Sequence, residues 1–313
     1  MYNENMNGLR IPGLGNFLIA AHEDPTDYEE PTEGVHGVLA EFLNGTVRRY
    51  STIEAALAEG DGNTNATGNV LSCKHDDELV IMLLGDVTAS GTIEIGDNCT
   101  IHLNGRKLSF GKGNHLLIKS GNVTIDGTVP GSEITKNVAS NSHEFLVRTQ
   151  RESANLQLVG GTYSMYGGVA NKNYFVPIYI DTSSSAKMVG CTIKADASCA
   201  YMYGCNIKAE TTICNCTVYV CNRAGLAACV YVYDGKYNVN VCDSILKTRA
   251  TADRAAGVWA EPEGVTLENC IVSTAPTSGV TLYDVYSMNG YPITEINCHK
   301  DVTGLFVEEL TSA

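Results

Sequence analysis

The sequence predicts an all-β solenoid, a stack of coils built from short parallel strands, with one short helix over its first coil and an extended arm ahead of that. Two observations carry this prediction. The first is a repeated column. Aligning "QLVGGTYS", "KMVGCTIK", "TICNCTVY", "NVCDSILK", "LENCIVS" and "EINCHKD" superposes Gly160, Gly190, Asn215, Asp243, Asn269 and Asn297, all residue types that tolerate positive φ. The next position holds Gly161, Cys191, Cys216, Ser244, Cys270 and Cys298, all small, and the one after it is mostly β-branched. Successive corners lie 30, 25, 28, 26 and 28 residues apart, a solenoid period. The second observation is composition. Charged residues are 18% of the 313, below the roughly 25% of ordinary globular chains, while Gly reaches 31 and Tyr 16. Such a chain is rich in strands and turns.

The first 47 residues lie outside the repeat. They carry Pro-Gly punctuation, an acidic Pro-containing link and a predicted short helix from Val35 to Phe42. Two apolar patches, with Leu9, Ile11 and Leu14 in one and Phe17 and Leu18 in the other, are too short to form a core alone. Such a segment either folds by lying against a partner or a second copy, which makes these five residues the expected attachment points, or is a disordered leader. The N-terminus lacks the basic start and apolar core of a secretory signal, and no apolar stretch approaches 18 residues. That pattern points to a chain made in a reducing cytoplasm or cut from a longer precursor.

Residues 48–313 form the solenoid domain. In "RRYSTIEAALAEGDG", Ser51 and Glu54 read as a capping box ahead of Ile53, Ala56 and Leu57, so a helix is expected near 51–59. From residue 78, apolar runs alternate with Gly-Asp, Ser-Gly, Asp-Asn and Asn-Gly turns. A coil of this length accommodates three strands of four to six residues. Side chains that stack inward must match in size from coil to coil, and cysteine suits a narrow interior beside a corner. The cysteine column is therefore expected to be structural, together with Asn215, Asn269 and Asn297. Cys205, in the extra copy "MYGCNIK", belongs to another strand of the same coil. Cys214 and Cys216 at i and i+2 would share a face and could suit a metal. There is no C-x-x-C pair, however, and the seven His are scattered from His22 to His299, so neither metal nor cofactor is expected. Disulfides would need an oxidising compartment that the N-terminus does not support.

The stretch "YSTIEAAL…IMLLGDVTASGTIEIGDNCTIHLNGRKLS" closely resembles the opening of pectate-lyase-like right-handed, single-stranded parallel β-helix proteins, which include gut bacterial surface proteins and phage structural proteins. The resemblance covers roughly residues 48 to 300. It implies that the helix caps the open end of the solenoid and that "NCTIHLNGRKLS" forms the first full coil. It implies little about activity, because the fold hosts lyases, hydrolases, adhesins and virion proteins. The "NTD", "GHG" and "RIK" motifs of polygalacturonase-like members do not occur.

The candidate sites are therefore read from residues. Asp253, Arg254, Glu261 and Glu263 fall on an expected loop around Trp259, the one tryptophan, and could form a glycosidase cleft or be solvated loop charges. In "YVYDGKY", Tyr231 and Tyr233 share a face and Val230 and Val232 the other. If the valines point inward, the tyrosines stand on the outer wall. With Trp259, Tyr283 and Tyr286 they could bind glycans, pack a neighbouring subunit or form an ordinary exposed ladder. A formal net charge of -14 disfavours nucleic acid as a partner, and no membrane span is expected.

An arm followed by a β-helix resembles phage fibre, spike and capsid-decoration proteins. The resemblance implies a non-enzymatic virion protein that docks on capsid or tail proteins through its arm, displays a surface to host or gut glycans, and assembles as a homo-oligomer, with a trimer favoured. Two alternatives stay open: a lyase or glycosidase of the tailspike type, and a bacterial surface adhesin without its signal peptide.

Overall fold

The computed structural model describes residues 48–58, 68–75, 78–140, 142–150, 153–167, 173–233, 235, 237–275 and 279–301. The expected arm, with Leu9, Ile11, Leu14, Phe17 and Leu18, lies outside the described residues. Over the described residues the chain is a β-solenoid of about seven turns with three parallel sheets and a single short helix, and the helix expected from Val35 to Phe42 lies outside them. One coil shows the pattern. Ser185–Val189 belongs to the first sheet, Thr192–Ala197 to the second and Tyr201–Ile207 to the third. Each then pairs in parallel with its equivalent in the next coil, at Glu210–Cys214, Thr217–Asn222 and Leu226–Val232. Cys205 lies in the third sheet, as expected.

Register makes the core a set of ladders. In the first sheet Ile81, Ile101, Ile125, Leu158, Met188 and Ile213 are partners on successive strands, and all are fully buried. Each such side chain contributes about 1.5–3 kcal/mol relative to exposure, so a size mismatch in one coil is felt by its two neighbours.

The six predicted corner residues all have positive φ, between 49° and 67°. There the chain reverses sharply enough to pass from the first sheet to the second, a conformation that Gly and Asn reach at low cost. Asn269 Nδ2 donates to Asp243 Oδ1 across 3.1 Å, and Asn297 Nδ2 donates to Asn269 Oδ1 across 3.4 Å. The corner between Cys214 and Cys216 separates them. Cys214 ends a first-sheet strand and is half-buried, whereas Cys216 follows the corner and is buried, so the two do not share a strand face.

All twelve cysteines are free thiols. Those of the column do more than fill space. Cys191, Cys216, Cys270 and Cys298 each donate from Sγ to the carbonyl two residues earlier, and Ser244 Oγ does the same. The backbone N–H of Cys191 donates in turn to Cys216 Sγ, and that of Cys216 to Ser244 Oγ. Serine replaces cysteine once in this column because each supplies a small side chain that satisfies backbone polar groups left by the corner.

The helix, Ile53–Leu57, closes the N-terminal end of the core with Ile53 and Ala56 fully buried. Its N-cap is Thr52 and not Ser51. Thr52 Oγ1 accepts the Ala55 N–H at 3.1 Å, while Glu54 accepts from Ser90 and so does not close a capping box. Burial of Ile53 fixes it as the first helical residue, which leaves the preceding position as the cap. A shorter coil, Glu78–Leu83, Val87–Thr88 and Ile93–Ile95, precedes "NCTIHLNGRKLS". The stretch read as the first coil is thus the next one along.

Strands of the third sheet reach seven residues, beyond the expected four to six. The reason is an irregularity repeated coil after coil. In Leu226–Val232, Ala228 faces outward, both Cys229 and Val230 face the core, and Tyr231 faces outward again. One additional inward residue per strand acts as a stacked bulge, at Gly204, Cys229 and Gly257.

Candidate functional site

The outer face of the third sheet carries a second apolar cluster, separate from the core. It is made of Val176, Tyr203, Leu226, Ala228, Tyr231, Ala256 and Trp259, with Phe145, Tyr174, Tyr179, Tyr283 and Tyr286 against it. Parallel register builds it. Tyr179, Asn206, Tyr231, Trp259 and Tyr286 are partners on consecutive strands. Beside that row runs a second, Tyr203, Ala228, Ala256 and Tyr283. The two fully buried alanines leave room for neighbouring rings to lie over the sheet.

Tyr203 and Tyr231 stack with centroids 4.3 Å apart and planes 15° apart, and Tyr174 and Tyr201 stack at 4.8 Å and 16°. Trp259 packs on Tyr286 at 4.4 Å and on Tyr283 at 6.4 Å. Cations border the rings. Arg148 lies 5.0 Å from the Phe145 centroid and 5.3 Å from that of Tyr179, Lys208 lies 4.3 Å from that of Tyr233, and Arg254 lies 5.4 Å from that of Trp259. The quadrupole of each ring favours such placement.

All five residues read as binding candidates, Tyr231, Tyr233, Trp259, Tyr283 and Tyr286, fall on or at the rim of this face. Val230 and Val232 point into the core opposite them. The five differ in access. Tyr231 and Trp259 are 8% and 4% exposed and form the floor, Tyr233 is 43% exposed at the rim, and Tyr283 and Tyr286 are half-buried. Burial, then the Glu261 carboxylate that accepts its hydroxyl at 2.5 Å, hold the Tyr231 phenol above the ordinary tyrosine pKa, so it acts as a neutral donor. Sequence reading missed Tyr174, Tyr179, Phe145, Arg148 and Lys208 as members of the face. Their signal was the coil period itself, since Tyr179, Asn206, Tyr231, Trp259 and Tyr286 recur at intervals of 25 to 28 residues.

The candidate catalytic residues do not lie on one loop. Arg254–Ala260 is a strand, so the expected loop around Trp259 does not exist there. Arg254 opens it beside Asp253, to which it is ion-paired at 3.1 Å, while Glu261 follows its last residue. At about 3.3 Å per residue, Asp253 and Glu261 lie on the order of 25 Å apart. Glycosidase carboxylates work at about 5–9.5 Å. The repeat period, which counts coil positions, did not distinguish strand from loop at this point. Among the described residues one group of metal-ligand type lies together, Cys214, Cys242 and Asp243, on the opposite side of the repeat from the aromatic face.

Fold and surface together define a parallel β-solenoid that carries an aromatic, cation-bordered face along one sheet. None of the family models, curated proteins or solved structures compared with the chain matches it. Among the described residues no helix is long and apolar enough to cross a membrane.

Proposed function

We propose that the chain is a non-enzymatic display protein of the virion fibre or capsid-decoration kind, on a pectate-lyase-like β-helix, whose third-sheet aromatic face adheres to carbohydrate. The observation that carries the proposal is the contiguous apolar, largely aromatic surface along consecutive coils, with Tyr201 and Tyr233 exposed at its rim. Sugar rings present apolar C–H faces that stack on such rings, and Lys208 beside Tyr233 would favour acidic glycans. The separation of Asp253 from Glu261 supports binding over cleavage.

The test is titration of the full chain with acidic and neutral oligosaccharides. Tyr201→Ala with Tyr233→Ala is expected to weaken binding about tenfold, the equivalent of about 1.4 kcal/mol, while leaving the unfolding midpoint in place. Unchanged affinity in that variant, or release of shorter sugars by the native chain, would count against the proposal.

Residues 1–47 serve in this reading as the arm that docks on capsid or tail proteins. A chain starting at Arg48 retains the capping helix and every described strand. It is expected to fold, to give the same far-ultraviolet circular dichroism, and to fail to incorporate into particles. Normal incorporation would remove the arm from the proposal. Light scattering on the full chain reads assembly directly, a trimer having three times the 33.5 kDa of one chain.

A further inference from the structure

Cys214 and Cys242 stand apart from the other cysteines in what surrounds their sulfurs. Each ends a first-sheet strand, and the two are register partners in adjacent coils. Parallel neighbours lie about 4.8 Å apart, so their side chains emerge side by side. Asp243 follows at the corner, where its φ of 49° turns the carboxylate back across the pair, with Cys214 Sγ 3.9 Å from Asp243 Oδ2. The column cysteines hydrogen-bond to backbone carbonyls and to one another, whereas Cys214 and Cys242 contact each other and, through Cys214, this carboxylate.

We propose that Cys214, Cys242 and Asp243 form a binding site for a thiophilic divalent cation of the zinc and cadmium class. The two sulfurs and one carboxylate oxygen all lie within 4.8 Å of one another. Around a tetrahedral ion with bonds of about 2.0–2.3 Å, ligand atoms sit about 3.5–3.8 Å apart. Small side-chain rotations close that gap with the sheet unmoved. The carboxylate is already oriented, because its other oxygen accepts from Asn269 Nδ2 at 3.1 Å, an outer-shell contact of the kind that fixes ligand geometry. Both thiols are half-buried and Asp243 is exposed, so the fourth position opens to water. Each Sγ–H bond gives way to an Sγ–metal bond, and two protons leave to the buffer.

Cadmium ion alone, titrated into the reduced full-length chain, tests the site. One equivalent is expected to bind with thiolate-to-metal charge-transfer absorption, to release two protons, and to raise the urea midpoint of unfolding. Cys214→Val copies Val189, its register partner one coil earlier, and is expected to abolish the absorption while leaving the fold intact. Asp243→Asn places the residue of the Asn215 and Asn269 corners at this corner and guards against misfolding as the cause. It is expected to weaken binding at least tenfold, and Asn269→Ala about tenfold. Absence of a stoichiometric absorption, its persistence in Cys214→Val, or a native disulfide joining Cys214 to Cys242 would each overturn the assignment.

Discussion

Lys136→Met is expected to lower the stability of the solenoid by about 3–5 kcal/mol, whereas Lys136→Met combined with Glu144→Met is expected to recover most of that loss. Lys136 and Glu144 are both inaccessible to solvent, with Nζ 2.6 Å from Oε2. The ammonium also donates to the Phe145 carbonyl at 2.9 Å, and the carboxylate accepts the Gly113 N–H. Removing the ammonium alone leaves a carboxylate in an apolar interior with one exposed N–H for company. Burial lowers the pKa of Lys136 despite the stabilising carboxylate, so desolvation outweighs the attraction within the pair. That balance is why an apolar pair can replace it at little cost. The ladders specify the replacement, because Lys136 pairs with Met165 in the next coil, and Glu144 stands in the row that continues through Phe175 to Met202. Urea midpoints of the two single variants and the double variant read the cycle. A loss below about 1 kcal/mol for Lys136→Met, or an additive double variant, would show that water or a shifted side chain compensates the carboxylate.

The buried pair marks where sequence reading stops. Corners were legible because each demands a rare backbone conformation, so Asn215, Asn269 and Asn297 announce it by residue type. The inward ladders were legible because register repeats size from coil to coil. Lys136 interrupts a ladder, and its partner lies around a corner in another sheet. No periodic signal joins two residues that meet across the interior. The aromatic face lies between these cases. Its rows follow the period, but whether Tyr231 lies flat beneath a neighbour or stands free depends on Ala228 and Ala256 beside it and on ring tilt. The expected loop at 250–263 failed for a related reason. Charged residues bracket a strand at both ends there, and composition alone reads the bracket as one exposed segment.

Gly257→Ala is expected to destabilise the chain by about 2–3 kcal/mol and to alter the fluorescence of Trp259, the one tryptophan. A Cβ on Gly257 would lie 2.1 Å from Val272 Cγ1 and 2.8 Å from the Asp284 carbonyl oxygen. Neither neighbour can retreat easily. Val272 is fully buried with a stiff, β-branched side chain, and the carbonyl belongs to the adjoining strand. Gly204, level with it two coils earlier, meets the same obstruction, at 2.5 Å from Val218 Cγ1 and 2.7 Å from the Cys229 carbonyl oxygen. The bulge therefore brings the second and third sheets into close approach at Gly204 and Gly257, whereas the intervening coil accommodates Cys229 at this level. Relief of the clash has to push Ala256 and Val258 away from the second sheet. Because Trp259 follows in the same strand and packs on Tyr286, the displacement should reach the outer face. Gly91→Ala supplies the comparison, since a Cβ there meets nothing within 4 Å and φ is not positive. It should stay within about 0.5 kcal/mol of the parent. If Gly257→Ala matched Gly91→Ala in stability and left Trp259 unchanged, the bulge would not couple the core to the aromatic face. A drop in stability accompanied by weaker oligosaccharide binding would show that interior packing sets the geometry of the proposed adhesive surface.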